Sequence, residues 1–446
     1  MFSKTIENKD FRIDSQYYTQ APIKNPILKY KKIGDVIHSS QYGISIEMNE
    51  NGHGYPIYRM NELHNMLCDI EVNKYADITQ DECRRFALRN RDVLFNRTNS
   101  FEWVGRTGVY YQNDNIERTF ASYLVRFNPI ESVILPEYLC AFLNTKQGIR
   151  DIKRRARQSI NQTNVNPEEV KEIEIPILDM DFQLQIQEYF ERANLCRLKS
   201  LSLYKDAEMQ LLSELDLKDW QPNNAPVNIK QLKESFLTSG RLDAEYYQTK
   251  YDELFSKLSQ FECDTIKDIA NIKKSVEPGS EAYQESGIPF VRVSDVTKFG
   301  ISEPNIFLSP KDFNLAELQP KKDTILLSKD GSVGIAYKVE NDTDCITSGA
   351  LLHLSVFNKE YNPDYLTLVL NSKVVQMQAE RDSNGAIIQH WKPSEIEQVI
   401  IPKLPKPIQE TISARIQESF ALKAESKRLL DEAKMMVERE IEKGGK

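Results

Sequence analysis

No run of some eighteen apolar residues exists in this chain of 446, so no segment has the length and composition of a membrane-spanning helix. The opening MFSKTIENKDF lacks the apolar stretch of a signal peptide, and a cytoplasmic protein with no membrane partner is expected. The six cysteines, Cys68, Cys83, Cys140, Cys196, Cys263 and Cys345, form no CxxC pair and no His-flanked spacing. That excludes a zinc knuckle and a disulfide framework and leaves buried thiols. Chemistry is also sparse. There is no GxGxxG after a strand, no P-loop, no HExxH and no GxSxG elbow, and the five histidines (His38, His53, His64, His353, His390) are scattered. An amino-group methyltransferase carries an (N/D)PP(Y/F) loop; the nearest string here, NPI at Asn128 to Ile130, fails it. These absences point away from an enzyme, from a resident metal and from a cofactor.

The net charge of −8 argues against nucleic acid, but its distribution weakens the objection. Between Arg84 and Arg106, Arg84, Arg85, Arg89, Arg91, Arg97 and Arg106 stand against Asp92 and Glu102, a local +4. From Lys146 to Arg157, Lys146, Arg150, Lys153, Arg154, Arg155 and Arg157 stand against Asp151, a local +5. Each run is either a phosphate-facing surface or an ordinary solvated face.

What the chain does have is a repeat. RIDSQYY at Arg12 to Tyr18 returns as RLDAEYY at Arg241 to Tyr247. GYPIYRMNEL from Gly54 returns as GIPFVRVSDV from Gly287, and DVLF from Asp92 as DTIL from Asp323. LPEYLCAFLNTK from Leu135 returns as NPDYLTLVLNSK from Asn362, placing Pro136 on Pro363, Tyr138 on Tyr365 and Asn144 on Asn371. NVNPEEVKEIEIPIL from Asn164 returns as HWKPSEIEQVIIPKL from His390, with Pro176 on Pro402. Five collinear matches whose offset drifts slightly describe two copies of one unit with loop insertions.

Within each copy the pattern is α+β. Alternation at Tyr55 to Met60 and Pro289 to Val293, and the apolar runs Val93 to Phe95 and Thr324 to Leu327, predict strands. YLCAFLNTKQGIRDIKRRA and YLTLVLNSKVVQMQAERD each carry helical spacing, and EIEIPIL and QVIIPKL read as strands ending at proline. Each copy closes with a long segment that has no internal proline or glycine, Asp181 to Leu215 and Pro407 to Ile441. There Ala193, Ser200 and Ala207 recur every seven residues, as do Ser419, Ser426 and Ala433, beside Ile186 and Leu203 in one copy and Ile412 and Leu429 in the other. Small residues next to large ones at heptad spacing predict a close-packed helix pair. Either the two helices pair with each other, separating the globular parts, or each packs on its own copy. The expected divisions are a first globular domain over 1–180, a long helix over 181–217, a linker and second globular domain over 218–405, and a second long helix over 406–446.

Two polar loops stand out in each copy. One follows the DVLF-type strand, NRTNSFEWVGRTG at Asn96 to Gly108 and SKDGSVGIAY at Ser328 to Tyr337; the other precedes the terminal strand, Gln158 to Asn166 and Asn384 to Lys392. Arg, Lys, Asn, Asp, Ser and Thr on a glycine-bearing loop can address base edges and phosphates, though the first is equally a hairpin and the second a capped helix entrance.

With R(I/L)DxxYY opening both halves, a polar glycine loop after a DVLF-type strand, a loop leading into EIEIPIL or QVIIPKL, and a long helix beginning DFQLQIQEYF or PIQETISARI, the whole chain resembles the specificity subunit of type I restriction-modification systems. The resemblance implies a non-catalytic reader of double-stranded DNA with two target recognition domains on a bipartite asymmetric sequence. It also implies an antiparallel spacer of two long helices that docks methyltransferase subunits, with restriction-translocase subunits as optional additions. S-adenosylmethionine, ATP and Mg²⁺ are then expected on partner subunits alone. A helix of about thirty residues is roughly 45 Å long, near one turn of duplex at about 34 to 36 Å. Loop chemistry selects Arg97, Thr98, Asn99 and Arg106 in the first domain and Lys329, Asp330 and Ser332 in the second as DNA-contacting candidates, with Arg59 and Arg292 at matching positions after a strand. The competing readings are a protein-binding scaffold that never touches DNA, an enzyme without a recognisable motif, and the same reader serving another defence system.

Overall fold

The computed structural model describes residues 12–160, 162–383, 385 and 389–443. The opening MFSKTIENKDF, Asn161 of the first pre-strand loop, most of Asn384 to Gln389 in the second, and the last three residues lie outside them. The chain forms two compact units, one of residues 1–199 with 422–446 and one of residues 200–421, so the division falls inside both long helices.

In the first unit a six-stranded sheet runs in the order Ile37–Tyr42, Leu124–Pro129, Val93–Asn96, Thr107–Val109, Leu67–Cys68, Leu63–His64. All its neighbours are antiparallel except Thr107–Val109 beside Leu67–Cys68. Val93 and Phe95 point into the main core and Leu94 into a second cluster with Tyr58 and Phe120. Both faces are covered, which is why this strand reads as an unbroken apolar run. In the second unit the corresponding sheet is Ala270–Lys274, Leu351–Val356, Ile325–Ser328, Ala336–Lys338, antiparallel throughout. Each unit is α+β, with its terminal strand, Glu174–Pro176 or Ile400–Pro402, paired to a short strand near the unit's start, Tyr30–Lys32 or Cys263–Thr265.

Hydrogen-bond register refines the repeat. Tyr110 N donates to Asp92 O and Val339 N to Thr324 O, and the left-handed residues before them are Arg91 (φ 69°) and Asp323 (φ 63°). Asp92 therefore matches Thr324 rather than Asp323; the shared aspartate letter displaced the alignment by one residue.

The helical spacing after the sheet resolves into two helices per unit, not one. These are α1 (Pro136–Leu143) and α2 (Lys146–Arg155) in the first unit, α4 (Pro363–Asn371) and α5 (Lys373–Asp382) in the second, with α3 (Met180–Glu214) between them in sequence and α6 (Lys406–Glu442) last. The break lies at Thr145 and Ser372. Each hydroxyl donates back to the preceding helix, to Phe142 O at 2.6 Å and Val369 O at 2.8 Å, and accepts from the next, from Gly148 N at 3.1 Å and Val374 N at 3.3 Å. A hydroxyl residue used as an N-cap stops one helix and starts another.

Matched letters become matched bonds. Tyr138 and Tyr365, both fully buried, donate to Pro176 O and Pro402 O at 2.8 Å, tying α1 and α4 to the terminal strands. Asn144 Nδ2 donates to Thr107 O at 3.1 Å and Asn371 Nδ2 to Ala336 O at 2.8 Å. The opening motif also acts in duplicate. Arg12 Nη1 donates to Arg155 O at 2.8 Å at the end of α2, and Arg241 Nη1 to Asp382 O at 3.1 Å at the end of α5. In each copy the aspartate two residues on holds the guanidinium, a tyrosine ring lies beneath it (Tyr17 at 4.6 Å, Tyr246 at 4.4 Å), and the second tyrosine donates to the arginine's own carbonyl. A cation at a helix C-terminus meets unpaired carbonyls and the negative end of the dipole.

The long helices pack on each other within each unit. In the first, Ser426 Oγ donates to Ala193 O at 2.7 Å, and Ile186, Ala193, Leu429 and Ala433 share one core. In the second, Ser419 Oγ donates to Ser200 O at 2.7 Å, and Ala207 and Ile412 share the other core. Within the second unit Arg415 Nη1 also donates to Gln210 Oε1 at 2.6 Å, so a step forward on α3 from Ser200 is a step backward on α6 from Ser419 and the pairing there is antiparallel. Serine at these positions is short enough to let one backbone reach the other. Leu203 is half-buried and belongs to neither cluster. Of the cysteines, Cys68, Cys83, Cys140 and Cys345 are buried, whereas Cys196 and Cys263 are only half-buried because they sit near the edges of their cores.

Candidate nucleic-acid interface

In both units the fold brings the two polar loops together. In the first, the short strand Thr98–Asn99 pairs with Thr163–Asn164, which pairs with Arg157–Gln158. Val165 N donates to Arg97 O at 2.9 Å. In the second, Asp330 bridges His390, Gly331 N donates to Gln389 O, and Trp391 N donates to Lys329 O at 2.8 Å. The strand pairs around each first loop make it the hairpin that its glycines suggest.

The candidates of the first unit divide by what they touch. Thr98 is buried and donates to Asn164 Oδ1 at 2.7 Å, so its side chain joins the loops rather than facing outward. Asn99 Oδ1 accepts from Ser100 N at 2.8 Å and shapes the turn. Arg97 lies 5.2 Å over the ring of Tyr42, and Arg106 lies 3.5 Å over the ring of Trp103. Both guanidiniums are half-buried, and each lies over a ring that is more than one-third exposed.

In the second unit Asp330 is the centre. Lys329 Nζ pairs with one carboxylate oxygen, and His390 Nδ1 lies 2.8 Å from the other. A carboxylate only accepts, so Nδ1 carries the proton, and the imidazole as a whole is largely exposed. Ser332 is exposed, and its carbonyl accepts from Ser328 Oγ at 2.6 Å.

Arg59 and Arg292 hold structural posts. Arg59 Nη2 meets Glu62 Oε1 at 2.5 Å, and Arg292 lies 3.5 Å from Asp295, each arginine preceding a short 3₁₀ turn whose third residue is that acid. In the basic run from Lys146, three cations are exposed (Lys146, Arg150 and Arg157), and the rest are engaged within the fold. Arg150 donates to Gln20 O, Arg154 to Tyr17 O and Asp151, and Arg155 to Asp151, Glu169 and Glu172 O. Burial lowers the Lys153 ammonium to about 8, with Glu102 opposing the shift and Arg106 adding to it. Arg91 meets Glu137 and Glu131 at 2.7 Å, and the Glu137 carboxylate, at the start of α1 and fully buried, raises the arginine above its ordinary value. Local charge counts did not reveal this, because neutralising partners lie far away in sequence.

Tyr42 is unmarked in the sequence, Trp103 stands there only within a polar loop, Lys153 only within a basic run and His390 only as a scattered histidine. Tyr42 is at the end of another strand, and only its position beside Arg97 marks it. No group of three His, Cys, Asp or Glu suited to a metal ion occurs among the described residues, and no helix among them is long and apolar enough to cross a membrane.

Residues 28–196 and 259–434 each match the type I restriction modification DNA specificity domain. The chain is 23% identical over 421 residues to the protein named as the type I restriction enzyme MjaX specificity subunit of Methanocaldococcus jannaschii, covering 91% of each. It is 22% identical over 227 residues to the EcoKI specificity subunit of Escherichia coli, half of this chain and 45% of that one. The crystal structure of a type I restriction-modification S subunit from M. genitalium aligns at 15% identity over 94% of this chain and 97% of that one, with a TM-score of 0.40.

Proposed function

The chain belongs to the type I restriction modification DNA specificity family, and from that premise we propose that it is a non-catalytic reader of a bipartite, asymmetric sequence in double-stranded DNA, one part per unit. The observation that carries this reading is the pair of equivalent bonds Val165 N to Arg97 O and Trp391 N to Lys329 O. The same backbone frame joins the same two loops in each unit, while the residues mounted on it differ: stacked arginines in one, a Lys–Asp–His cluster in the other. Two frames with unlike side chains suit two different half-sites.

In this proposal the antiparallel α3–α6 pair is the spacer and docks methyltransferase subunits, to which restriction-translocase subunits are added in a complete system. S-adenosylmethionine, ATP and Mg²⁺ belong to those partners, the assembly works in the cytoplasm, and this chain moves no proton and forms no covalent bond. Its own work is to orient hydrogen-bond donors against base edges and to hold them there.

The test is co-purification with the methyltransferase subunit encoded beside it, followed by mapping of methylated bases in cells carrying both. The expected result is a two-part methylated motif that changes in one part when residues 96 to 108 are exchanged for those of a relative. No methylation, together with no salt-sensitive DNA binding by the complex, overturns the reading in favour of a scaffold that holds proteins only.

A further inference from the structure

Nine positions separate Asn96 from Gly105, whereas six separate Ser328 from Gly334, although Gly105 N donates to Asn96 O and Gly334 N to Ser328 O in the same way. The first unit therefore carries an extra turn, Ser100 to Gly105, that the second lacks. Trp103 N and Val104 N both donate to Ser100 O, at 3.2 and 3.0 Å, which closes the turn.

Helix α2 holds that turn from outside. Lys153 Nζ donates to Phe101 O, to Glu102 O at 3.0 Å and to Val104 O at 2.9 Å. All three ammonium donors are thus placed on carbonyls of one turn, and the charge also lies 4.9 Å from the Phe101 ring. The neighbouring Ile152 seals the far end: a Cβ on Gly105, which has φ +93°, would fall 2.6 Å from Ile152 Cγ2. At the position matching Lys153 the second unit has Glu380, which pairs with Lys250 at 2.8 Å, and Gln376 Nε2 holds its shorter loop by donating to Gly334 O. The lysine belongs to the longer turn.

The turn carries Phe101 and Trp103 at the surface, 37% and 36% exposed, and the Arg106 guanidinium carbon lies 3.5 Å over the Trp103 ring. Contact with the ring restricts the guanidinium before any ligand arrives.

We infer that Lys153 is a positioning residue for sequence reading: by clasping the carbonyls of Phe101, Glu102 and Val104 it sets the Trp103–Arg106 pair against one base step of the half-site read by the first unit. This rests on the DNA-reading function proposed above. The lysine makes no DNA contact in this arrangement and acts through the turn.

The experiment is selection of bound sequences from a random duplex library by the full chain with its methyltransferase partner, comparing wild type, Lys153→Met, Lys153→Arg and Trp103→Leu. Lys153→Met is expected to lose about tenfold discrimination at one or two adjacent positions of one half-site, the scale of a single guanidinium contact, and to leave the other half-site unchanged. Lys153→Arg restores most of it, because a guanidinium can donate to the same carbonyls. Full discrimination in Lys153→Met, equal loss in both half-sites, or no rescue by arginine overturns the inference. Should Lys153→Met fail to fold, Trp103→Leu, which keeps the clasp and removes the stacking surface, must show the same loss confined to one half-site; retained discrimination there overturns it equally. A wild-type complex that selects no sequence overturns the DNA-reading function, and this inference with it.

Discussion

Gln183 Oε1 accepts a hydrogen bond from Leu135 N at 2.8 Å, joining the first turn of α3 to the residue that caps α1. The same amide donates to Leu178 O and Val133 O, and the side chain is fully buried. In the second unit Gln409 does the same work, accepting from Asn362 N and donating to Leu404 O and Glu360 O. An amide that both donates and accepts satisfies backbone groups from two directions, which neither a carboxylate nor an aliphatic chain can do.

Replacing Gln183 by Leu leaves Leu135 N and Leu178 O without partners in the core. A loss on the order of 2 to 3 kcal/mol is expected in the first unit's unfolding transition, measured by urea denaturation of the full chain followed with probes in each unit. A change below about 0.5 kcal/mol would show that water replaces the amide.

Acid should weaken the second unit through His353. It is 6% exposed, its Nε2 lies 2.7 Å from Thr347 Oγ1, and burial, helped by Lys273, pushes its pKa from 6.5 down to about 4. The folded value lies below the unfolded one, so the unfolded chain takes up the proton first. Stability is complete above pH 6.5 and declines as pH falls toward 4, by roughly 3 kcal/mol at the lower limit. His353→Gln should flatten that stretch of the stability profile; an unaltered slope assigns it to other groups.

Arg12 and Arg241 separate structural cations from phosphate-binding ones. Each ends a helix inside its unit, so Arg12→Ala and Arg241→Ala should cost about 1 to 2 kcal/mol of stability. The slope of log DNA affinity against log salt should stay as in the wild type. A slope shallower by about one unit per arginine would place these residues on the phosphate backbone instead.

Asp330 lies between Lys329 and His390 and fixes both. Asp330→Ala should relax discrimination at one or two positions of the half-site assigned to the second unit, by about 1 to 3 kcal/mol, and spare the other half. Selection from a random duplex library reads both halves at once. Unchanged selection would remove this cluster from the interface.

Duplication, the α+β character of each copy, the strand cores at Val93 to Phe95 and Ile325 to Leu327, and the two long helices follow from the residues themselves. Each is a local or periodic property: apolar runs, heptad spacing and the absence of proline and glycine act over neighbouring positions whatever lies beyond them. The break at Thr145 was also local, but a hydroxyl inside a helical pattern reads as tolerated until its partners, Phe142 O and Gly148 N, are seen. What the tertiary structure alone decided is the use of each charge. Lys153, Arg154 and Arg155 are one basic run in the sequence, yet apart from Asp151 within it their partners come from Tyr17, Phe101 to Val104, Glu169 and Glu172. An arginine's role depends on the acid, carbonyl or ring that folding brings within a few ångströms, and Coulomb attraction carries no record of distance along the chain.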